Sequence, residues 1–290
     1  MEYLYYPGCS LESAGKPYDE SLRAVFVALG VPLTELEDWN CCGATMYMGV
    51  HETISLAISA RNLALAEQDG HRDLVAPCSA CYTVLLKSNR FLRESPELKS
   101  KVDRILGEAG LKYDLTVAIR HPLDVLVNDV GLEAMARSAK RSLEGIVIAP
   151  YYGCQIVRPE RGFDHREFPT SMDRLFERLG ARCAYFPLKT RCCGAMLMTK
   201  FPDVCLALVK ELLACAVENG AHCVATTCPM CQMNLEAYQQ AVNKKFKTSY
   251  EVPVLYFTQL LGLALGCTHR ELGLHRNLIP MGAPLAARFA

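Results

Sequence analysis

Two short stretches, Cys41-Cys42-Gly43 and Cys192-Cys193-Gly194, stand at matching places in a chain of 290 residues. Each stretch follows a single cysteine and precedes a Cys-x-x-Cys pair, so ten of the fifteen cysteines form one pattern written twice. The matching parts lie 145, 151 and 150 residues apart, from 9 to 154, from 41 to 192 and from 78 to 228. This repetition indicates that a metal-binding unit has been duplicated.

Five cysteines in each copy favour metal binding over disulfides. An odd number cannot pair within a copy, and pairing between copies would not explain the repeated spacing. Tetrahedral zinc takes four ligands and a cubane iron-sulfur cluster takes four thiolates, so one cysteine is left over in each copy. This surplus indicates a cluster with more than four protein attachments, or a ligand that can leave. The candidate ligands are Cys9, Cys41, Cys42, Cys78 and Cys81, and then Cys154, Cys192, Cys193, Cys228 and Cys231.

The adjacent cysteines need an irregular turn, because successive side chains of a regular strand point to opposite faces. Gly43 and Gly194 follow the two pairs directly, and glycine reaches positive φ without a steric penalty. A Cys-x-x-Cys alone would also fit a zinc knuckle or a redox pair. The complete pattern, occurring twice in the same order, predicts two metal sites.

Short apolar runs alternate with helical periodicity through both copies, which predicts an α/β fold of two similar Rossmann-like domains. We expect strands at Tyr3 to Tyr6, Leu33 to Leu36, Leu74 to Ala76, Gly145 to Tyr152, Cys183 to Phe186 and Val224 to Thr226. We expect helices at Asp19 to Leu29, Thr53 to Asp69, Tyr82 to Leu92, Ser171 to Leu179, Asp203 to Asn219 and Gln232 to Val242. Asp203 is a candidate N-cap, and Lys87 to Lys112 reads as a solvated helical excursion.

The duplication predicts two domains, residues 1–138 and 139–290, each with a core of its own. We expect their boundary in the polar stretch from Leu132 to Glu144. The cysteines follow predicted strands, and α/β sheets carry their sites at the carboxyl ends of the strands. Cys81 and Cys231 are expected to open helices, whose positive N-termini suit an anionic cluster. The two sites should face each other at the domain interface, related by an approximate twofold axis.

Charge and hydropathy exclude several classes of function. Lys and Arg together number 31, as do Asp and Glu, so nothing favours nucleic acid or an anionic membrane as a partner. The start from Met1 to Pro7 has no basic region and no long apolar core, so we expect no signal peptide. The apolar run from Val254 to Leu265 is shorter than the ~20 residues that span a bilayer, so we expect no membrane insertion. Many cysteines without a secretion signal predict a cytoplasmic protein.

The repeated motifs resemble a known family. Pro77-Cys-Ser-Ala-Cys-Tyr82 and Cys228-Pro-Met-Cys-Gln-Met-Asn-Leu235 are similar to the B subunit of soluble heterodisulfide reductase, which carries a duplicated cysteine-rich Cys-Cys-Gly domain. The resemblance runs from Tyr3 to about Leu278 and includes all ten motif cysteines. It implies two noncubane 4Fe-4S clusters, one on each set of five cysteines, facing each other across a disulfide. It also implies electrons from the flavoprotein A subunit through the ferredoxin-like C subunit, and a small-molecule or protein-bound disulfide as substrate.

One residue departs from the family, since Gln155 follows Cys154 where the methanogen enzymes have a histidine. The resemblance therefore does not extend to the coenzyme M-coenzyme B heterodisulfide as substrate. One alternative is the electron-transfer subunit of a hydroxyacid-, glycerol-3-phosphate- or succinate-oxidising complex. Such chains often carry repeated Cys-x-x-Cys-x-x-Cys motifs, which this sequence lacks. The non-catalytic alternative is a zinc-stabilised scaffold.

The remaining candidates are weaker. Five cysteines outside the motif are expected to pack in the core as small apolar side chains, namely Cys183, Cys205, Cys215, Cys223 and Cys267. Of the seven histidines, His51 is the candidate for a place near a site. Arg158, Lys189 and Arg191 are either anion-binding groups or solvated surface. Soft apolar cover for the clusters is expected from Met46, Met48, Met196 and Met198.

Overall fold

Two parallel four-stranded sheets, one from each half of the chain, form the frame of the protein. The computed structural model describes residues 2–44, 47–70, 73–158 and 162–289, with positions 47 and 48 described by their backbone alone. The strands are β1 Tyr3–Tyr5, β2 Leu33–Glu35, β3 Asp73–Val75, β4 Ala118–Arg120, β5 Val147–Tyr151, β6 Arg182–Cys183, β7 Cys223–Thr226 and β8 Val254–Tyr256. The orders are β2-β1-β3-β4 and β6-β5-β7-β8, with every pairing parallel. The predicted duplicated α/β fold is confirmed.

Helices connect the strands in the same succession in both halves. The first half contains α1 Lys16–Ala28, α2 Tyr47–Val50, α3 Glu52–Gln68, α4 Ser79–Glu94, α5 Pro96–Glu108, α6 Pro122–Asp124, a π-helical segment Val125–Gly131 and α7 Leu132–Ser138. The second half contains α8 Ser171–Arg178, a 3-10 turn Ala195–Leu197, α9 Pro202–Glu218, α10 Pro229–Ala237, α11 Gln239–Phe246 and α12 Phe257–Leu265. A 3-10 turn Leu274–Arg276 and α13 Ala283–Phe289 follow.

The central strands are apolar on both faces because helices cover both sides of each sheet. All three residues of β1 and all five of β5 are buried. Leu4 of β1 pairs with Leu74 of β3, and Ile148 of β5 pairs with Cys223 of β7. Continuous apolar strands are typical of buried parallel sheets. The strands are short, so the positions of their ends, and not their length, determine where the site lies.

Helices from both halves form the layer between the two sheets. The α1 helix packs on α12 of the other half, while α8 packs on α6 and α7. In each half, one of these helices follows the first strand (α1 or α8) and another follows the last strand (α6 or α12). The helix after the first strand of either half therefore packs on the helix after the last strand of the other half. Beside the first pair, Tyr18 of α1 stacks on Tyr256, the last residue of β8, at 4.4 Å between ring centroids. This exchange is what an approximate twofold relation produces.

The expectation of a separate core in each half is wrong. One apolar cluster runs from β1 and α1 through α12 to Phe289 and includes Ile148, Cys223 and Leu255 on one face of the second sheet. A second cluster lies on the other face of that sheet, among β5, α9 and α10. The two halves therefore share their largest core. No break in this packing coincides with the 138/139 boundary, which stays a prediction.

Several local expectations are corrected. Asp203 is not the N-cap of α9; Phe201 is, because Pro202 fixes the backbone of the first turn. The Asp203 carboxylate instead pairs with Lys245 of α11. The helix expected at 232–242 is two helices, α10 and α11, that break at Tyr238. The 87–112 segment is not only solvated, since α5 buries Val102 and Leu106.

Candidate cysteine cluster site

Strand ends bring the cysteine-bearing segments to one edge of each sheet. In the first sheet, β1 leads to Cys9 and the neighbouring β3 leads to Cys78. In the second sheet, β5 leads to Cys154 and the neighbouring β7 leads to Cys228. All four segments therefore leave the carboxyl ends of parallel strands, the edge at which α/β sheets carry their sites.

Each Cys-x-x-Cys lies at the first turn of a helix. Cys78 is the N-cap of α4 and Cys228 is the N-cap of α10. The sequence-based expectation that Cys81 and Cys231 open these helices is wrong. They are the third residues, because each helix begins directly after the first cysteine of its pair. Backbone N–H groups at a helix start lack partners within the helix and carry positive partial charge, which favours thiolates there.

The cysteines of the first copy come together around one buried pair. The Sγ atoms of Cys42 and Cys81 lie 3.2 Å apart, and both residues are buried. Cys41 is within hydrogen-bonding reach of Cys42, and Cys78 is within reach of Cys81. Cys9 is exposed and Cys41 is half-buried. The set therefore extends from the interior to the surface.

The second copy repeats this arrangement. The Sγ atoms of Cys193 and Cys231 lie 3.5 Å apart. Cys192 is exposed, and its pKa is lowered to about 6 because the Cys154 thiol donates a hydrogen bond to it. The backbone N–H of Gly194 also donates to Cys192 Sγ, at 3.3 Å. This half thus has a surface thiol that ionises readily.

The glycine before the single cysteine lets the backbone approach the Cys-x-x-Cys closely. A Cβ atom on Gly8 would lie 3.2 Å from Cys81 Sγ, and one on Gly153 would lie 3.1 Å from Cys231 Sγ. Both glycines also have positive φ, +70° and +73°. A side chain at either position would occupy the space beside the thiol.

The turns after the adjacent cysteines have the backbone predicted from the sequence. Gly43 has φ +81° and Gly194 has φ +78°. A Cβ on Gly43 would lie 3.1 Å from Ser55 Oγ, and one on Gly194 would lie 3.2 Å from Cys205 Cα. The two turns therefore pack against the following helices, α3 and α9, at matching positions.

A buried tyrosine holds each Cys-Cys turn, and sequence reasoning missed both. The Tyr6 hydroxyl donates to the carbonyl of Asn40 at 2.8 Å, and the Tyr151 hydroxyl donates to that of Arg191 at 2.6 Å. Each acceptor is the residue directly before a Cys-Cys pair. Burial and the nearby thiols raise the pKa of both tyrosines, so both hydroxyls remain donors. The signal was available, because these tyrosines are 145 residues apart, as are Cys9 and Cys154.

The two Cys-x-x-Cys segments meet across the domain interface. The Cys78 and Cys228 thiols lie close enough to shift each other's pKa. The next residue, Ser79, places its Oγ 3.3 Å from the carbonyl oxygen of Thr227, which it can reach as a donor. Farther along α4, Thr83 donates to the carbonyl of Gln155 at 2.7 Å. The structure thus brings the two segments that carry Cys78 and Cys228 into direct contact.

The contact between the halves also determines where negative charge is favoured. The Cys228 pKa lies well below its usual range because the Cys231 and Cys78 thiols donate to its sulfur. The Cys78 pKa is raised well above its usual range because this thiol donates to Cys228 and is fully buried. Without a positive group among them, the thiols therefore stay mostly protonated and hydrogen-bond to one another, and adjacent thiolates do not form together.

His121 is a second residue that sequence reasoning missed. It is fully buried and follows β4 directly. Its Nε2 lies 3.1 Å from the carbonyl of Pro77, and its Nδ1 accepts the N–H of Leu123 at 3.1 Å. Burial lowers the His121 pKa to about 4, so the ring is neutral near pH 7. His51, the sequence-based candidate, is exposed at the start of α3.

Two of the three cations proposed as anion-binding groups are paired with carboxylates. The Lys189 ammonium pairs with Asp173 at 2.7 Å, and the Arg191 guanidinium pairs with Glu211 at 2.7 Å. Arg158 is exposed and its positive charge stabilises the thiolate of Cys192. Arg158 is therefore the cation available to an anionic group beside the second set.

The other sequence candidates have mixed outcomes. Cys205 and Cys223 are buried as expected, whereas Cys183, Cys215 and Cys267 are only partly buried. Cys205 lies behind the second Cys-Cys turn, with its Sγ 3.9 Å from the carbonyl of Cys193. Met196 is 61% exposed and Met198 is half-buried. Met46 lies outside the described residues, and so does the side chain of Met48.

These residues fit an iron-sulfur cluster in each half. Thiols converge beside a glycine on which a Cβ atom would press against a cysteine sulfur, and the Cys-x-x-Cys pairs lie at helix N-termini that favour negative charge. A four-iron cluster distributes its thiolate attachments over several metal atoms, so its ligands need not surround one point. Within the described ranges, no three Cys, His, Asp or Glu side chains are placed to hold a single metal ion.

The duplicated parallel sheets and facing thiol sets define the molecule as a duplicated cysteine-rich α/β protein. The chain belongs to the CCG cysteine-rich domain family, whose model matches residues 3–86 and 148–236. One copy of the domain thus lies in each half, which confirms the family predicted from the motifs.

Named relatives match nearly the whole chain. It is 35% identical to the 8-methylmenaquinol:fumarate reductase membrane anchor subunit of Wolinella succinogenes, over 96% of this chain and 97% of that protein. It is 30% identical to the B subunit of the ferredoxin:CoB-CoM heterodisulfide reductase of Methanosarcina mazei, over 94% and 92%. It is 32% identical to a heterodisulfide reductase B-subunit-like protein of Archaeoglobus profundus, over 92% and 91%. The chain is therefore a homologue of the heterodisulfide reductase B subunit, and its relatives are components of multi-subunit reductases.

A solved structure shares the fold. A hypothetical protein from Helicobacter pylori aligns with a TM-score of 0.81 and 18% identity, over 97% of this chain and 52% of that chain. This chain thus spans about half of the Helicobacter protein. Among the described helices, none has the length and apolar character needed to cross a membrane.

Proposed function

We propose that this chain is the catalytic iron-sulfur subunit of a heterodisulfide reductase-like complex, which reduces or forms a disulfide. Two noncubane 4Fe-4S clusters complete the site. The first would be held by Cys9, Cys41, Cys42, Cys78 and Cys81, and the second by Cys154, Cys192, Cys193, Cys228 and Cys231. The domains that carry them are residues 1–138 and 139–290.

The observation that carries this proposal is the contact of the two Cys-x-x-Cys segments across the interface. Ser79 Oγ lies 3.3 Å from the carbonyl oxygen of Thr227, and the neighbouring Cys78 and Cys228 thiols lie close enough to shift each other's pKa. Cys9 and Cys192 are exposed, while Cys41 and Cys154 are half-buried, so each set also extends to the surface. A disulfide bound between the two sets would therefore present one sulfur to each.

The reaction needs two electrons and two protons, because the S–S bond breaks and each sulfur leaves as a thiol. The bound clusters would supply single electrons and iron atoms with affinity for sulfur. The chain supplies the helix N-termini of α4 and α10, which favour the negative charge that develops on sulfur. The exposed guanidinium of Arg158 would bind a carboxylate, sulfonate or phosphate on the substrate through charge-assisted hydrogen bonds.

Partner subunits supply the electrons in this proposal. The sequence has no ferredoxin-like Cys-x-x-Cys-x-x-Cys motif and no Gly-x-Gly-x-x-Gly fingerprint for a dinucleotide cofactor. The ferredoxin-like C subunit would deliver single electrons, and the flavoprotein A subunit would split electron pairs into them. The proposed location is the cytoplasm, where thiols stay reduced.

Electron transfer in a succinate- or fumarate-linked complex is the second candidate. The 35% identity to a subunit of the Wolinella fumarate reductase over nearly the whole chain favours it. Two neighbouring clusters would also serve as a relay in such a complex. The two functions differ in whether a substrate disulfide meets both thiol sets.

The test is thiol release by the reduced chain. The full chain with its iron-sulfur content is reduced anaerobically with a one-electron donor and mixed with a disulfide that carries sulfonate tails, or with a neutral disulfide of similar size. We expect two thiols for every two electrons consumed. Arg158→Gln should raise KM for the sulfonated disulfide about tenfold, the worth of ~1.4 kcal/mol, and leave the neutral one unaffected.

Arg191→Gln is the matched control, because Arg191 is paired with Glu211 and should not change KM. Fast oxidation of the reduced chain by a quinone-linked acceptor, with no thiol released from either disulfide, would refute disulfide chemistry and favour the relay.

A further inference from the structure

His121 touches segments of both halves at the point where the two cysteine sets meet. Its Nε2 lies 3.1 Å from the carbonyl of Pro77, the residue before Cys78. The backbone of Thr227, the residue before Cys228, is close enough to the ring to act on the pKa of His121. One imidazole thus lies between the two peptide segments that lead into the Cys-x-x-Cys motifs.

The hydrogen bonds assign the proton of this ring. The Leu123 N–H donates to Nδ1 at 3.1 Å, so Nδ1 must be unprotonated and the proton must be on Nε2. Nε2–H is therefore the donor to the carbonyl of Pro77. The two nitrogens have separate duties, since Nδ1 caps the start of α6 and Nε2 contacts the cysteine segments.

Packing keeps the ring in this orientation. His121 is 0% exposed, stacks on Phe163 at 6.2 Å, and meets Tyr82 edge-on at 5.7 Å. Because Tyr82 directly follows Cys81, the ring also contacts the first helix turn of the first set. A ring enclosed in this way can hold two segments at a defined separation.

The duplication provides no second copy of this contact. His121 follows β4 directly, and the residue that directly follows β8 is Phe257. The two rings lie 6.4 Å apart at the interface, and the phenyl ring has no donor. Ser79 also contacts Thr227 between the halves here, and the imidazole adds a hydrogen bond that a phenyl ring at the matching position cannot make.

We propose that His121 is a positioning residue that fixes the separation of the two Cys-x-x-Cys segments, and through them the separation of the two cluster sites. The inference rests on the proposed function for its consequence, since a disulfide must reach both sets. The geometry that carries it, one buried imidazole against Pro77 and Thr227, does not depend on a bound cluster.

Two substitutions separate the duties of the ring. His121→Asn places an amide oxygen near the Nδ1 position, so it keeps the cap on Leu123 and loses the donor. His121→Gln places an amide nitrogen near the Nε2 position, so it keeps the donor and loses the cap. The first readout is amide hydrogen exchange of the full chain as purified, followed by mass spectrometry.

We expect His121→Asn to speed exchange about tenfold in both the 76–82 and 226–232 segments, the factor for a loss of ~1.4 kcal/mol of local stability. Exchange in α5, which does not touch the ring, should stay unchanged. His121→Gln should leave both cysteine segments as in the wild type. Equal effects of the two variants, or an effect confined to residues 121–131, would mean that His121 acts only through the fold of its own helix.

The second readout is the electron paramagnetic resonance of the chemically reduced, cluster-loaded chain. His121→Asn should change the signals of both cysteine sets although the residue lies in the first half, and His121→Gln should restore them. A wild-type spectrum in His121→Asn overturns the proposal. Absence of iron and sulfide from the wild-type chain would instead overturn the proposed function. The hydrogen-exchange measurement would still test whether His121 holds the two cysteine segments.

Discussion

One hydroxyl in each half holds the peptide that leads into the adjacent cysteines. Tyr6 donates to Asn40 and Tyr151 donates to Arg191, and both rings lie beside the single-cysteine glycine of their half. A buried carbonyl that loses its donor keeps its desolvation cost. These two tyrosines therefore connect two parts of the site in each half, because the ring packs against the glycine and the hydroxyl holds the peptide before the Cys-Cys pair.

Tyr6→Phe should lower the free energy of unfolding by about 1 kcal/mol and shift the absorption spectrum of the first set only. Tyr151→Phe should do the same for the second set. Tyr18→Phe is the matched control, because Tyr18 is fully buried and its hydroxyl has no hydrogen-bond partner among the described residues. Denaturant titration and the visible spectrum measure both effects. A spectrum that is unchanged in both Tyr6→Phe and Tyr151→Phe would contradict the assignment.

The glycine before each single cysteine separates two physical effects, backbone strain and contact with a thiol. Gly8 has positive φ and lies against Cys81 Sγ, whereas Gly30 has positive φ, +67°, with nothing within 4 Å of a Cβ. Gly8→Ala and Gly30→Ala should each cost roughly 1 kcal/mol through strain. Only Gly8→Ala should also change the cluster spectrum, and equal spectra in the two variants would contradict the close approach.

The repeated elements were predictable because the duplication fixes their order. Short apolar runs followed by a cysteine identified β1, β3, β5 and β7, and the glycines placed the Cys-Cys turns. What the pattern could not provide was the break between α10 and α11. Gln239, the first residue of α11 after that break, hydrogen-bonds through its side chain to the backbone of Val252, thirteen residues later. Pairings between distant residues leave no mark on local periodicity.

The candidate site residues also fall into those that the sequence pattern predicts and those that only distant contacts identify. The ten cysteines were recognisable from spacing, while Tyr6, Tyr151 and His121 became visible only through their contacts. His121 was passed over because it belongs to no metal-ligand spacing, although its place directly after a strand was a usable signal.

The shared core makes the two halves dependent on each other for folding. Removing residues 139–290 would expose the face of α1 that packs on α12, where Tyr18 stacks on Tyr256 and Ser21 bonds Thr258 at 2.7 Å. Each large apolar side chain left in water costs ~1.5–3 kcal/mol. Residues 1–138 alone should therefore not show a cooperative unfolding transition in urea, and coexpression with 139–290 should restore one. A cooperative transition of the isolated first half would restore the idea of independent cores.

Under the proposed function, duplication also explains how one small fold would make a site for two sulfurs. Each half places its thiols at the same sheet edge. Because α1 and α8 each pack on helices of the other half, those edges are turned toward each other. The contact between Ser79 and Thr227, which lie beside Cys78 and Cys228, is the result.

Iron and acid-labile sulfide per chain test the central claim most directly. The anaerobically purified full chain should contain about eight of each, as two four-iron clusters require. Cys81→Ser and Cys231→Ser should each lower both numbers to about four, because each residue is assigned to a different cluster. A chain that holds zinc without sulfide, or loses all its iron in either variant, would contradict two clusters held by separate sets of five cysteines.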